Sequence, residues 1–382
     1  MNLAETQVAS KKLILLAVAV TILYYLAVSG YKVGLNLWHV ISPPAPIPAE
    51  AKFGPLPKMK MTSIPVQDKA EFVIDTQDGK LPAFSDRIKV YPIVQPKPNL
   101  LAEQKMKNLA STLGFSSNFI KTTASDFQWI DGITSRKMNA NVATTAFDVT
   151  TDINKLGSVL SNLSTITPED ATGMVSQFLL SNSFVNSEEQ AHLTFTTMSS
   201  EINLGKLRDI KVATVPPKIM KVDVLKNIVE TGTDDKGKPF TIATYKILNQ
   251  NLSKPKISFL VTNDPSTYQF PSINFSTWDV ELSKGSEYFI SPIANVWETV
   301  KAGNGIVAQV KVDGQNYYED AKNVPLGKVF IRNVYLAYYE PNELAGYLQP
   351  VYVFEGVFEN ANTKSKGEVT ILYPAVRGDF VN

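Results

Sequence analysis

KVFIRNVYLAYY, residues 328–339, is rich in β-branched and aromatic residues and carries large apolar side chains at both parities. Ile331, Tyr335 and Tyr339 fall on one face of an extended strand, and Phe330, Val334, Leu336 and Tyr338 fall on the other. A strand apolar on both faces belongs inside a sheet covered on both sides. Working outward, Ile306 to Val312, Leu348 to Phe358 and Gly367 to Tyr373 read as its companions, joined by polar loops that contain Gly314, Pro341 and Gly346. Asn360 to Lys366 is the last connection. Pro350 has no N–H to give a ladder, so its end of the third strand is expected at an edge, among the first residues, or at a bulge. Upstream, Ser291-Pro292 opens a helix bearing Ile293, Val296, Trp297 and Val300, which Gly303 and Gly305 close. Trp297 is expected to pack that helix across the sheet.

The same order, helix and then strands, recurs toward the N-terminus. Asn99 stands as a cap before a stripe of Leu100, Leu101, Met106, Leu109, Ala110 and Leu113, with Gly114 as the stop. Phe127 to Ile130, Ser135 to Asn141 and Thr144 to Thr150, with a turn at Asp131-Gly132, then read as an antiparallel meander. Thr167-Pro168-Glu169-Asp170 supplies an N-cap, a proline at N1 and two first-turn acids, and predicts a helix toward Leu180. His192 to Thr197, Asp209 to Val215, Thr241 to Leu248 and Ile257 to Thr262 are the expected strands of this second unit, with TGTDDKGKP, Thr231 to Pro239, turning a hairpin. Three such units predict an α+β protein of tandem helix-plus-antiparallel-sheet modules over 61–163, 164–285 and 286–382.

Ahead of them lies LILLAVAVTILYYLAVSGY, from Leu13 to Tyr31, 19 residues without a charge. At the helical rise this covers about 28 Å, close to the hydrocarbon thickness of a bilayer. Tyr24, Tyr25, Tyr31 and Trp38 can serve as interface anchors. The reading is a cytoplasmic tail at 1–12, a transmembrane anchor at 13–38 and a tether at 39–60, with the lipid bilayer as the partner of Leu13 to Tyr31. Lys11-Lys12 and Ala27-Val28-Ser29 also fit a cleaved secretory signal, and under either reading the bulk of the chain is exported. The prolines of Ser42 to Pro57 predict a semi-rigid spacer reaching roughly 50 Å.

Composition excludes some classes. A net charge of +1 argues against a nucleic-acid partner. The absence of cysteine removes disulfides and thiolate metal sites. The two histidines, His39 and His192, lie far apart, so neither a metal nor any other cofactor is expected, and no GxSxG elbow frames a serine. A serine-lysine pair is the remaining catalytic option. Asp234-Asp235 and Glu188-Glu189 lie in polar stretches suited to turns. Tyr335, Tyr338, Tyr339, Tyr347 and Tyr352 form an aromatic set that either packs a core or offers a surface for a partner or ligand.

The stretch around Trp297, Gly303 and Gly305, with VxLAYYE (Val334 and Leu336 to Glu340) and YLQPVYVFEG (Tyr347 to Gly356), resembles the C-terminal part of single-pass bacterial envelope proteins. More distantly it is similar to the membrane-anchored YycH and YycI regulators of the WalK sensor kinase and to PepSY-type modules. The likeness covers about a quarter of the chain and implies a non-enzymatic regulator that contacts a membrane or cell-wall protein. An exported cell-wall or peptide hydrolase and a structural subunit of an envelope assembly are the alternatives.

Overall fold

A computed structural model describes residues 21, 24–30, 50–67, 69–96, 100–211, 215–321 and 323–382. Residues 1–49 and 50–382 are separate compact units. In the first, residues 24–30 are helical. In the second, the chain passes back and forth between two sheets. Strands β1 (Glu71–Ile74) and β2 (Arg87–Pro92) belong to the first sheet. After helix α1 (Leu100–Thr112) come β3 (Ile120–Lys121), β4 (Asp126–Asp131), β5 (Arg136–Asn141) and β6 (Phe147–Thr151) of the second. Helices α2 (Ile153–Leu160), α3 (Pro168–Ser181) and α4 (Ser187–Ala191) precede β7 (Thr194–Asn203), β8 (Lys206–Asp209) and β9 (Ile219–Leu225), also in the second. The hairpin β10 (Asn227–Thr233) and β11 (Pro239–Asn249) crosses to the first sheet, and β12 (Ile257–Thr262) and β13 (Ser272–Phe275) return to the second. Finally β14 (Ser286–Phe289), helix α5 (Ile293–Thr299), β15 (Ile306–Val312), β16 (Lys328–Glu340), β17 (Tyr347–Glu359) and β18 (Lys366–Pro374) complete the first.

This architecture corrects the expectation of an α+β chain of tandem modules behind a transmembrane helix. The described residues are dominated by two nine-stranded sheets, and residues 164–285 give strands to both of them. The expected strand from Asp209 to Val215 ends at Asp209. Among the described residues no helix is long and apolar enough to cross a membrane. Most of Leu13 to Tyr31 lies outside the described residues, as do Asn99 and the tether up to Ala49. The rest of the expected tether is docked on the second unit rather than extended from it. Leu56 is fully buried, its N–H donates to Phe380 O at 2.7 Å, and Phe53 packs on the Tyr347 ring at 4.9 Å.

The second sheet runs β3-β4-β5-β6-β13-β12-β9-β7-β8 and is antiparallel throughout. Helix α3 covers one face because Ala171, Val175, Phe178 and Leu179 recur at helical spacing and are all buried. Thr167 caps it by accepting from Asp170 N. Met106, Leu109, Ala110 and Leu113 bring α1 to the same core as Trp129 and Phe259. Gly114 takes φ +82°, the left-handed stop the sequence predicts. Arg136 is buried and has no carboxylate partner among the described residues. It donates Nη1 to Leu113 O at 2.7 Å, at the C-terminus of α1, and its guanidinium lies 4.9 Å from the Phe115 ring centroid.

The first sheet follows β10-β11-β16-β17-β18-β15, with β1 on β16, and β2 bridging β17 and β14. As expected, β16 is covered on both sides. On one face Val329, Ile331, Val334, Leu336 and Tyr338 join α5, where Trp297 meets Phe354 at 6.0 Å. On the other, Ala337, Tyr339, Val351 and Val353 lie under Met59, Met61 and Leu252. A bulge between Ile331 and Asn333 corrects the sequence reading of the faces: the extra residue, Arg332, flips the alternation. Ile331 therefore shares a face with Val334, Leu336 and Tyr338, not with Tyr335 and Tyr339. Pro350 sits where the outer edge of β17 passes from β2, paired at Tyr347 and Leu348, to β18, paired from Val351, so no ladder bond is asked of its nitrogen.

Replacing Gly367 tests how closely β15 and β18 approach. A Cβ there would run into the Lys311 carbonyl of the neighbouring strand, whereas one at Gly132 meets nothing within 4 Å. Gly367→Ala is expected to cost about 1–3 kcal/mol or more in urea unfolding, and Gly132→Ala less than about 0.5 kcal/mol.

Candidate functional site

The ladder along β16 is interrupted. On one edge β17 pairs with it nearly end to end. On the other, β1 pairs in parallel only with Lys328 to Ile331, and β11 in parallel only with Tyr338 to Glu340. Between them, residues 332–337 have no strand partner on that edge among the described residues. In such a stretch every second residue turns its N–H and C=O outward.

Local chemistry explains why β1 stops. After Ile74 the chain turns away at Thr76, whose hydroxyl donates to Lys80 O at 2.7 Å, and Gly79 takes φ +68°. Arg332, the bulge residue, holds the departing chain with Nε 3.5 Å from Asp75 Oδ2. At the other end β11 pairs with β16 only from Ile247 to Asn249, and its earlier residues pair with β10 on the opposite edge.

The interruption opens a slot of about 500 Å³, within the range of ligand sites. Phe84 and Arg87 form one wall, Tyr245 and Lys246 the other, and Asn333, Tyr335 and Leu336 the floor. Its two sides differ in character. Phe84, Tyr245 and Leu336 belong to the apolar layer beneath α5, whereas Tyr335 lies on the opposite face. Tyr335 OH donates to Glu355 Oε1 at 2.6 Å, and Asn333 Nδ2 to Glu355 Oε2 at 3.3 Å. Burial, then the bond to Glu355, holds the Tyr335 phenol well above its ordinary value. Lys246 Nζ lies 5.2 Å from the Tyr335 ring centroid. Among the described residues Lys246 has no carboxylate partner, while Arg87 has Asp86 and Glu287 at 3.2 and 3.6 Å.

Of the five tyrosines singled out by sequence, only Tyr335 lines the slot. Tyr338, Tyr339 and Tyr352 are buried, and their hydroxyls donate to Lys89 O, Lys60 O and Ser291 O at 2.7, 3.2 and 2.8 Å. They are core residues with satisfied polar ends rather than a contact surface. Tyr347 is half-buried against Phe53, outside the slot. Phe84, Arg87, Tyr245 and Lys246 could not be found by sequence reading, because nothing local marks two segments over 150 residues apart as the walls of one slot.

The other chemical candidates are tied into structure. Lys221 bonds Asp223 and lies 4.9 Å from the Tyr317 ring centroid, and burial lowers its amine pKa. The hydroxyl of Ser200, close to Lys221 on the same face, is engaged by Tyr318 OH at 2.6 Å. Together these groups latch the β15–β16 loop to the second sheet, with Tyr317 N donating to Asp209 Oδ1 at 2.9 Å. Glu189 completes a capping box with Asn186, and Asp234 Oδ1 accepts from Lys236 N and Lys238 N in the hairpin turn. Among the described residues no cluster of three metal-ligating side chains forms. A second depression, of about 340 Å³, lies on the face of the second sheet away from α1 and α3, where Gln128, Asn139 and Asp148 bond in a row.

No family model matches this chain, and no curated protein does. Among solved structures it is similar to an uncharacterised protein from Eubacterium rectale ATCC 33656, with 10% identity, a TM-score of 0.40, and coverage of 82% of this chain and 90% of that one.

The buried phenols give the fold an alkaline limit. Tyr91 and Tyr352 are each pushed up to about 12 from an ordinary value of 10.0, by burial first and, for Tyr91, then by the charge of Glu230. A phenol whose folded pKa is raised stabilises the fold fully below its unfolded pKa and loses that contribution as pH rises through the folded value. Urea midpoints should therefore hold up to pH 10 and fall between pH 10 and about 12, with Tyr352→Phe flattening part of the fall.

Proposed function

We propose that this chain is a non-enzymatic binding or regulatory protein of the bacterial envelope. Its sheet unit lies outside the cytoplasm, and Leu13 to Tyr31 is its point of contact with the lipid bilayer during export. The partner is a membrane or cell-wall protein. Control of a membrane sensor kinase, which the resemblance to YycH and YycI implies, is the narrower form of the same reading.

The observation that carries the proposal is the combination of filled layers and an interrupted strand edge. Tyr338, Tyr352 and Phe354 close the first sheet's core at no more than 1% exposure, while the slot beside residues 332–337 stays open. An open stretch of edge beside a slot is a place for another chain to dock. The titratable groups of the Lys221 latch are engaged with one another, which favours binding over hydrolysis.

Photocrosslinking in cells that make the full chain tests this. A photoreactive residue at exposed position 244, on the hairpin wall, should give one discrete adduct with an envelope protein, and one at exposed position 188, on α4, should give none. The chain should fractionate with the envelope or the exported proteins. An uncrosslinked chain recovered from the cytosol overturns the proposal.

A further inference from the structure

We infer that the slot receives an extended peptide as an added strand on the open edge of β16, with apolar residues on one face of the peptide and acidic residues on the other. The inference rests on the binding reading above and names the chemistry of the ligand.

Three observations converge on that occupant. The open stretch, residues 332–337, spans roughly 20 Å at the strand rise, enough for about six added residues. The strands that flank it, β1 and β11, both lie against this edge of β16, so the edge already accepts strands at either end and is vacant only in the middle. The slot also differs on its two sides in the way a strand's alternating side chains do. Toward α5 an incoming side chain meets Phe84, Tyr245 and Leu336, and toward the other face it meets Lys246 beside Tyr335. Main-chain bonds to the edge would supply affinity, and this alternation would supply selectivity.

Charge complementarity fixes the polar face as acidic. Lys246 is exposed and has no carboxylate partner among the described residues, while Glu355, whose charge the neutral donors Tyr335 and Asn333 leave in place, does not line the slot. A basic side chain on the peptide would face Lys246 with a like charge. An acidic one would meet it at hydrogen-bonding reach, and the gain on an exposed lysine is modest.

Fluorescent six-residue peptides of alternating valine and aspartate, and of alternating valine and lysine, test the inference on the full chain. The valine-aspartate peptide should bind, and Lys246→Glu should weaken it about tenfold and strengthen the valine-lysine peptide. N-methylation of one alternate set of peptide amides should abolish binding and methylation of the other set should not, because an added strand bonds through one edge. Ala243→Trp, which fills the slot, should block the peptide. Equal effects of Lys246→Glu on both peptides, or indifference to methylation, overturn strand addition. Self-association that Ala243→Trp abolishes, without peptide binding, assigns the slot to a second copy and overturns the inference. If crosslinks form from position 244 while neither peptide binds, the peptide chemistry fails and the binding role stands. If neither occurs, both fail.

Discussion

The double burial of β16 is the constraint on which the rest of the structure depends. A strand covered on both faces can satisfy its backbone only through its two edges, and β1, β11 and β17 are placed by that requirement. One edge is met by β17 through a ladder of 11 residue pairs. The other is met piecemeal, by β1 from near the start of the described unit and β11 from its middle. The Arg332 bulge makes the arrangement possible. Were Arg332 part of a regular pleat and not absorbed in the bulge, Val334, Leu336 and Tyr338 would point away from the layer that Val329 and Ile331 occupy, and the core beneath α5 would be split.

The same bulge marks where pairing on the open edge lapses. A local increase in twist at a bulge carries a neighbouring strand away, and Arg332 holds Asp75 at the point where β1 departs. The slot is thus a consequence of how the core is built. It lies between two partial solutions to one strand's hydrogen-bonding needs, and its apolar side is an extension of the core itself, through Phe84, Leu336 and Tyr245.

The two sheets are held together by chain crossings and by a buried polar knot. Glu340, at the end of β16, accepts from Trp278 N at 2.6 Å and Thr277 Oγ1 at 2.9 Å, while Trp278 Nε1 donates to Pro341 O at 2.8 Å. Lys256, from the start of the second sheet's β12 region, donates to the same Pro341 carbonyl at 2.6 Å. A buried carboxylate with two donors and a buried amine on a carbonyl are costly to separate, which couples the sheets into one unit.

The amino-acid sequence by itself determined which segments are helix and which are strand wherever the period was long and the boundaries were chemically marked. The cap at Thr167, the stop at Gly114, the meander of β4 to β6, the turn between β10 and β11, and the double-sided burial of β16 were all legible, because each follows from side-chain spacing and turn chemistry within a few residues. Strands β1, β2, β13 and β14, four to six residues long, and the seven-residue β9 and β10 were not among the expected strands. Only the tertiary structure decided which sheet each strand joined, that residues 50–57 pack on the body, that one extra residue reverses the faces of β16, and that Tyr335 alone of five tyrosines meets the slot. Those outcomes depend on edges and surfaces that match across more than 100 residues of chain, and local periodicity carries no information about such matches.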